Sequence, residues 1–333
     1  MQSQRDGLRK MNKERIVVLD TGYESYDQEQ ALFEQAGYHL EVYRGPARSA
    51  KSKLLFGRGA VGVMIRGTAA DESFFSALPG LKALVRYGVG YDNVDLTAAT
   101  RHGVRVANVQ GYANESVSDH ALALMFACNR ALPWVKNGRG FGKPPTMPMP
   151  DFSRSTLGII GLGRIGGRLA EKACSLFERM VAYDPYVEEC RFFRLACCKV
   201  TLPELLQQSH VISLHCNLTT ETRGMIAAAQ FAQMEQKPVL INTARGPVVD
   251  EKALLKALDQ ERVRWAGVDV YDHEPPRGVS LKVAGHARVL ATGHYAWYSE
   301  NAKQELQRRA AQNMLTLLSG GIPEDCLNPF SPN

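Results

Sequence analysis

The sequence lacks any apolar run near the ~18 residues needed to cross a bilayer, and its polar first 15 residues contain no hydrophobic stretch of a secretory signal. A membrane protein and a secreted protein are therefore not expected. Cysteine is sparse and unpatterned. Cys128, Cys174, Cys190, Cys197, Cys198, Cys216 and Cys326 are odd in number and include no C-x-x-C pair. That excludes a disulfide scaffold and suits a reducing compartment, the cytoplasm by default. Cys197-Cys198 has no second ligand pair at zinc spacing, so no metal is expected. A basic stripe interleaved with aromatics is missing too, so the net charge of +6 suits small anionic ligands rather than nucleic acid. The densest basic stretch, Arg5, Arg9, Lys10, Lys13 and Arg15, reads as a solvated tail, and Met11 is an alternative start. Internal repeats and low-complexity segments are absent.

What is present fits a large globular chain. Its 333 residues are 45% hydrophobic and 22% charged, enough for two domains of roughly 100–200 residues each. Short apolar runs at 16–19, 61–65, 83–86 and 104–108 read as strands, with a helix near 28–35. A longer helix is expected over 115–135, with apolar Ala121, Leu124, Met125 and Cys128 at helical spacing and Ser116 or Asn114 as cap. The Gly- and Pro-rich residues 137–151 read as a loop. A second series of strands follows at 157–160, 180–183, 211–214, 239–242, 264–268 and 288–291, and a helix at 299–318. Strands alternating with helices imply parallel α/β sheets.

The strand at 157–160 runs into Gly161-Leu162-Gly163-Arg164-Ile165-Gly166 and then a helix. Gly161 allows the tight turn, Gly163 lets backbone approach a pyrophosphate, and Gly166 lets helix and strand pack closely. The helix N-terminus offers N–H groups to the anion. The next strand ends in Asp184, whose carboxylate can accept from ribose hydroxyls and repels a 2′-phosphate. NAD is thus expected over NADP.

Ligands of an open parallel sheet bind at the carboxyl ends of its strands. Beyond three successive strand ends stand Thr243-Ala244-Arg245, Asp269 with Glu274, and Thr292-Gly293-His294. An arginine can grip a carboxylate in a fork. A histidine passes a proton near neutral pH, and a carboxylate beside it favours the protonated ring. This set suffices for hydride transfer between a 2-oxo and a 2-hydroxy acid. Earlier in the chain, Gly88-Val89-Gly90 after a strand can form a backbone nest for a carboxylate.

Motifs at 87–95 (Y-G-V-G-Y-D-N-V-D), 116–120 (S-V-S-D-H), 157–166, 242–251 (N-T-A-R-G-P-V-V-D-E) and 267–276 (G-V-D-V-Y-D-H-E-P-P), with His294, resemble the D-isomer-specific 2-hydroxyacid dehydrogenases, over nearly the whole chain after Ile16. The resemblance implies a Rossmann NAD domain (111–295) inserted into a flavodoxin-like substrate domain (1–110 and 296–333). It implies His294 as acid/base, Glu274 as its partner and Arg245 as substrate clamp. Gly88 and Val89 would hold the substrate carboxylate. Val89, Arg164, Ile165, Asp184, Cys216, Thr243, Ala244, Asp269 and His294 would line the cofactor site with the three glycines. The helices at 115–135 and after His294 would be hinges, and a homodimer is implied. The stretch H-Y-A-W-Y-S-E from His294 is similar to the C-terminal-binding-protein branch, NAD(H)-sensing corepressors, and puts Trp297 in the substrate pocket.

Three features depart from the family pattern. Gly293 replaces a common proline before the histidine, which loosens the loop that aims His294. Asn217 replaces another proline, and the Pro-rich loop around 142–150 is unusual. They bear on substrate and rate more than on chemistry. The expected activity is NAD-dependent interconversion of a small 2-oxo acid and its D-2-hydroxy acid, with an NAD(H)-sensing corepressor as the rival. Corepressors usually carry a long flexible tail and little follows Gly320-Gly321 here, so the enzyme is favoured. Arg66 is a candidate to meet a substrate phosphate.

Overall fold

Short runs of aliphatic residues, buried on both faces, become parallel strands in both halves of the chain, as sheets covered by helices on two sides require. The computed structural model describes residues 13–47, 49–133 and 146–330. The chain divides into two units, Met1–Tyr112 with Glu300–Asn333, and Ala113–Ser299. The sequence expectation set these breaks at 110 and 295. No helix among the described residues is long and apolar enough to cross a membrane.

The first unit holds β1 (Arg15–Val18), β2 (His39–Val42), β3 (Gly62–Ile65), β4 (Ala83–Arg86) and β5 (Arg105–Ala107). They pair in parallel in the order β2-β1-β3-β4-β5, the flavodoxin-like order. Strand β2 is half-buried and carries a charge, so its sequence gives little signal. The helix Glu300–Leu318 returns to this unit. Arg105 explains part of that return: its guanidinium donates to the carbonyls of Leu317, Gly320 and Gly321 at 2.9–3.0 Å. A cation on the orphan carbonyls of a helix end stabilises it through hydrogen bonds and the helix dipole.

The second unit holds β6 (Thr156–Ile160), β7 (Arg179–Tyr183), β8 (Cys198–Lys199), β9 (Val211–Leu214), β10 (Val239–Asn242), β11 (Trp265–Val268) and β12 (Val289–Ala291). Their parallel order is β12-β11-β10-β9-β6-β7-β8. The order reverses between β6 and β9, the Rossmann arrangement with one added strand. Successive side chains serve opposite faces. Ile160, Ile212, Leu214 and Leu240 join one core, while Leu157, Ile159, Val211, Val239 and Ile241 join the other. Each such side chain contributes about 1.5–3 kcal/mol by leaving water.

The helix Asn114–Asn129 lies on the second core through Ala121, Leu124, Met125 and Cys128. Two expectations about it are corrected. Neither Ser116 nor Asn114 caps it: the N-cap is Ala113, without a side-chain hydrogen bond. The Ser116 hydroxyl instead donates to the Trp297 carbonyl at 2.8 Å, so it ties residues 294–299 to this helix. The helix also stops at Asn129 rather than 135, two residues before Ala131 turns left-handed with φ 51°. The expected tail residues Arg5, Arg9 and Lys10, and positions 134–145 with the loop's Gly142, Pro144 and Pro145, lie outside the described residues.

Asp20, just beyond β1, orders the loop after β3. Its carboxylate accepts the backbone N–H groups of Arg66, Gly67 and Thr68 at 2.7–2.8 Å, and Lys53 Nζ at 2.5 Å. Burial alone would push this carboxyl up, but Lys53, Thr68 and the backbone donors bring it to about 2. A carboxyl depressed on folding stabilises above its unfolded pKa, near 3.8, and loses that contribution as pH falls through the folded value. Asp20→Asn is therefore expected to cost about 2 kcal/mol at pH 7 in urea unfolding, with the gap to wild type closing between about pH 4 and 2. A gap that stays constant over that range would show the ionised carboxylate to be unimportant.

Candidate active site

The glycine loop sits where the order of the seven-stranded sheet reverses. Gly161 has φ 90°, and a Cβ there would lie 2.7 Å from Cys216 N, on the loop after β9. A Cβ on Gly166 would meet Gly161 O at 2.0 Å. Both glycines let backbone touch backbone. Gly163 differs, because a Cβ added there meets nothing within 4 Å. It is the N-cap of the helix Arg164–Ala173, without a side-chain cap, so it leaves open space in front of a positive helix end. Asp184 directly follows β7. Its oxygens accept Leu162 N–H at 2.8 Å and Tyr186 N–H at 2.9 Å, fastening strand end to glycine loop. These features fit a dinucleotide: two glycines that admit no side chain, one gap facing helix N–H groups, and a carboxylate just past the next strand that could meet a ribose.

Sequence reasoning missed Arg191. It lies on the helix Glu189–Arg194, and its guanidinium donates to the carbonyls of Leu162 and Gly163 at 2.6 and 2.7 Å. The expectation considered only the residues immediately after Asp184. The cation arrives from the next helix and braces the loop from its carbonyl side.

The strand ends after β10, β11 and β12 bring Arg245, Glu274 and His294 into one neighbourhood. His294 Nδ1 is 2.5 Å from Glu274 Oε2, while Glu274 Oε1 accepts Tyr271 N–H at 3.0 Å. Both carboxylate oxygens are thus held, which points one toward the imidazole. Burial pushes the Glu274 carboxyl up. The hydrogen bond from His294, the positive charges of His294 and Arg245, and the Tyr271 N–H outweigh burial and leave it below the ordinary range. Arg245 Nη1 donates to Ala244 O at 2.8 Å, and Asn242 braces this loop by donating to Arg245 O at 3.0 Å. Gly246 is required here, since a Cβ would lie 2.0 Å from Tyr271 C. The arginine loop and the glutamate loop touch backbone to backbone. Thr243 is buried, with its hydroxyl free of protein partners, and Ala244 N–H is held by Asn242 Oδ1 at 3.1 Å.

Asp269 was expected to line the cofactor site. Its carboxylate is 1% exposed and faces the histidine loop, accepting Thr292 Oγ1 (2.6 Å), Tyr295 N–H (3.1 Å) and Ala296 N–H (3.0 Å). Trp297 is half-buried and meets the Tyr298 ring edge-on at 5.6 Å. Gly293 has an ordinary backbone and only Tyr295 at 4.0 Å from an added Cβ.

In the first unit, Gly88 and Val89 follow β4. Gly88 has φ 118°, and a Cβ would collide with Arg86 Nη1, so this turn requires glycine. Gly88 O accepts Val109 N–H at 3.2 Å, and Val89 O accepts Asn108 Nδ2 at 2.6 Å. With the carbonyls turned inward, the loop's shape is set from beneath. Tyr87 Oη donates to the buried Glu29 at 2.9 Å, which also accepts Gln307 Nε2. Burial raises the Glu29 carboxyl, outweighing the hydrogen bonds from Gln307 and Tyr87, which lower it. Arg66 lies beside Gly22, with Nη1 2.9 Å from a Cβ placed there.

An open parallel sheet with Rossmann order and a glycine turn at its point of reversal defines the class: a dinucleotide-binding α/β protein. Residues 119–296 match the model of the D-isomer specific 2-hydroxyacid dehydrogenase, NAD binding domain. A glyoxylate reductase of Korarchaeum cryptofilum is 36% identical over 266 residues, covering 78% of this chain and 79% of that protein. A glycerate dehydrogenase of Methylorubrum extorquens is 36% identical over 272 residues, covering 79% and 84%. The solved D-lactate dehydrogenase of Aquifex aeolicus, complexed with NAD and lactic acid, aligns with TM-score 0.84 at 25% identity, over 96% of this chain and 100% of that one. The chain belongs to the D-isomer-specific 2-hydroxyacid dehydrogenases. It is an NAD-dependent enzyme.

The two kinds of glycine separate in a direct test. Gly163→Ala meets no protein atom within 4 Å. It is expected to leave stability within about 1 kcal/mol and weaken NADH binding roughly tenfold or more. Gly166→Ala must displace Gly161 O and should lower both. Thermal unfolding and NADH fluorescence titration read the pair. NADH affinity unchanged in Gly163→Ala would mean that the gap is not where the pyrophosphate lies.

Proposed function

We propose that this protein interconverts a small 2-oxo acid and its D-2-hydroxy acid, with His294 as acid/base, Glu274 as its partner and Arg245 as the substrate clamp. The observation that carries the reading is the 2.5 Å contact of His294 Nδ1 with a Glu274 carboxylate that is held on its other oxygen. Nδ1 is committed to Glu274, so Nε2 is the nitrogen left to exchange a proton with the substrate oxygen. Glu274, depressed below the ordinary carboxylate range, stays ionised at neutral pH and stabilises the imidazolium across the contact. Bound nicotinamide supplies or accepts the hydride at C2 of the substrate. In reduction, His294 Nε2 gives its proton to the carbonyl oxygen, and in oxidation the neutral ring takes it back. The Arg245 fork suits a substrate carboxylate and polarises the adjacent carbonyl.

Gly88 and Val89 are proposed to hold the substrate carboxylate, on the support of a glycine turn braced by Asn108 and Val109. Trp297 is proposed as a further substrate contact. The cofactor is assigned to Val89, Gly161, Gly163, Arg164, Ile165, Gly166, Asp184, Cys216, Thr243, Ala244, Asp269 and His294. The enzyme names of the relatives support catalysis over the corepressor reading. A homodimer rests on the resemblance, and a cytoplasmic location on the cysteine usage.

The test mixes NADH with glyoxylate, hydroxypyruvate, pyruvate, phosphohydroxypyruvate and 4-methylthio-2-oxobutyrate and follows absorbance at 340 nm. Turnover is expected with at least one acid, and His294→Gln should lower kcat about 10²–10⁴-fold. Arg245→Lys should chiefly raise KM, because an ammonium cannot reproduce the fork. Full activity in His294→Gln would sink the assignment.

A further inference from the structure

We infer that His120, on the helix Asn114–Asn129, is a positioning residue for the reaction: through Thr292 and Asp269 it holds the loop that aims His294. The inference rests on the reading of His294 as acid/base given above.

The loop has a problem that its own sequence does not solve. His294 has φ 57°, a left-handed conformation that is strained for a non-glycine residue. Such a residue persists only where its surroundings over-determine it. The residue before it, Gly293, adds backbone freedom instead of removing it. The constraint comes from Asp269. His294 N–H donates to Asp269 O at 2.8 Å. Tyr295 N–H and Ala296 N–H donate to the two oxygens of the Asp269 carboxylate, and Thr292 Oγ1 donates to Oδ1 at 2.6 Å. Asp269 therefore grips the chain on both sides of His294.

His120 completes that grip. Its Nε2 is 3.1 Å from Thr292 Oγ1. The Thr292 hydroxyl has one proton, and the buried carboxylate, which can only accept, takes it. The Thr292 oxygen must then accept from His120, which places the imidazole proton on Nε2. With that N–H aimed at its oxygen, Thr292 cannot turn its own proton away from Asp269. The ring edge also meets Tyr295 at 5.3 Å, so one side chain contacts the loop before and after His294. His120 Nε2 lies 3.8 Å from Asp269 Oδ1 as well, so a second proton, taken at Nδ1, would add charge attraction to the same carboxylate.

Three variants test the relay in the full-length enzyme against NADH and whichever 2-oxo acid it reduces, with His294→Gln as reference. His120→Leu fills the space without a donor. His120→Gln restores an N–H near the Nε2 position. Thr292→Val removes the relay hydroxyl while keeping the shape. His120→Leu and Thr292→Val are expected to lower kcat about five- to twentyfold, leaving substrate KM and NADH affinity within about twofold. His120→Gln should recover most of the loss. Were His120→Leu to fail to fold, Thr292→Val and His120→Gln would decide alone. Unchanged kcat in Thr292→Val, or His120→Gln as impaired as His120→Leu, would overturn the relay while an inactive His294→Gln left the acid/base reading standing. An active His294→Gln would overturn both.

Discussion

Everything about this site depends on the strands of its sheet being parallel. Parallel strands deliver all their carboxyl ends to one edge, so the loops after β6, β7, β9, β10, β11 and β12 emerge on the same side. Reversal of the order between β6 and β9 opens a crevice at that edge because the two connections leave in opposite directions. The glycine loop occupies one lip and the His215-Cys216 turn the other. Arg245, Glu274 and His294 come from three adjacent strands in sheet order. They are brought together by hydrogen-bonded registers and not by proximity in sequence.

Loops converging on one edge crowd each other, and glycine is where the crowding is resolved. Gly161 and Gly246 each let one loop's backbone rest on another's, against Cys216 and Tyr271 respectively. The second contact matters for chemistry. Tyr271 N–H holds Glu274 Oε1, so the approach of Gly246 sets the distance between the arginine loop and the glutamate that meets His294. A single methyl at Gly246 would have to displace the backbone whose N–H orients that carboxylate. The same local crowding explains why a residue without chemistry of its own is indispensable directly after Arg245, as the first residue of the short helix Gly246–Val248.

Much of the architecture was legible because burial is periodic. Apolar runs located β3, β4, β9 and β10 to within a residue, and the G-x-G-x-x-G run declared the turn after β6. Strand β2, half-buried and charged, and β8, two exposed residues, carry no such period. The helix cap was misjudged for a related reason. A serine near a helix start is ordinarily a cap, but Ser116 spends its hydroxyl on the carbonyl of Trp297, a partner that only tertiary structure supplies. Arg191 and His120 escaped notice likewise. Each is an unremarkable residue within an ordinary helix, and its meaning lies in a hydrogen bond to a residue far along the chain.

The two units share a device that this blindness to distant partners conceals. Asp20 follows β1 and Asp269 follows β11, and each is a desolvated carboxylate that collects backbone N–H groups together with a threonine hydroxyl, Thr68 in one case and Thr292 in the other. A loop at a strand end has unpaired N–H groups that water would otherwise serve. A fixed anion replaces that water and leaves the loop one conformation. The units differ in what stands beyond the threonine. Lys53 neutralises Asp20 outright at 2.5 Å, and a permanent cation suits a loop whose task is to keep its shape. Asp269 has His120 at 3.8 Å, whose burial lowers its tendency to carry a proton while Asp269 raises it. With the neutral ring donating to Thr292, the carboxylate keeps its charge for the N–H groups around His294, and the grip falls on the catalytic loop instead of on a salt bridge.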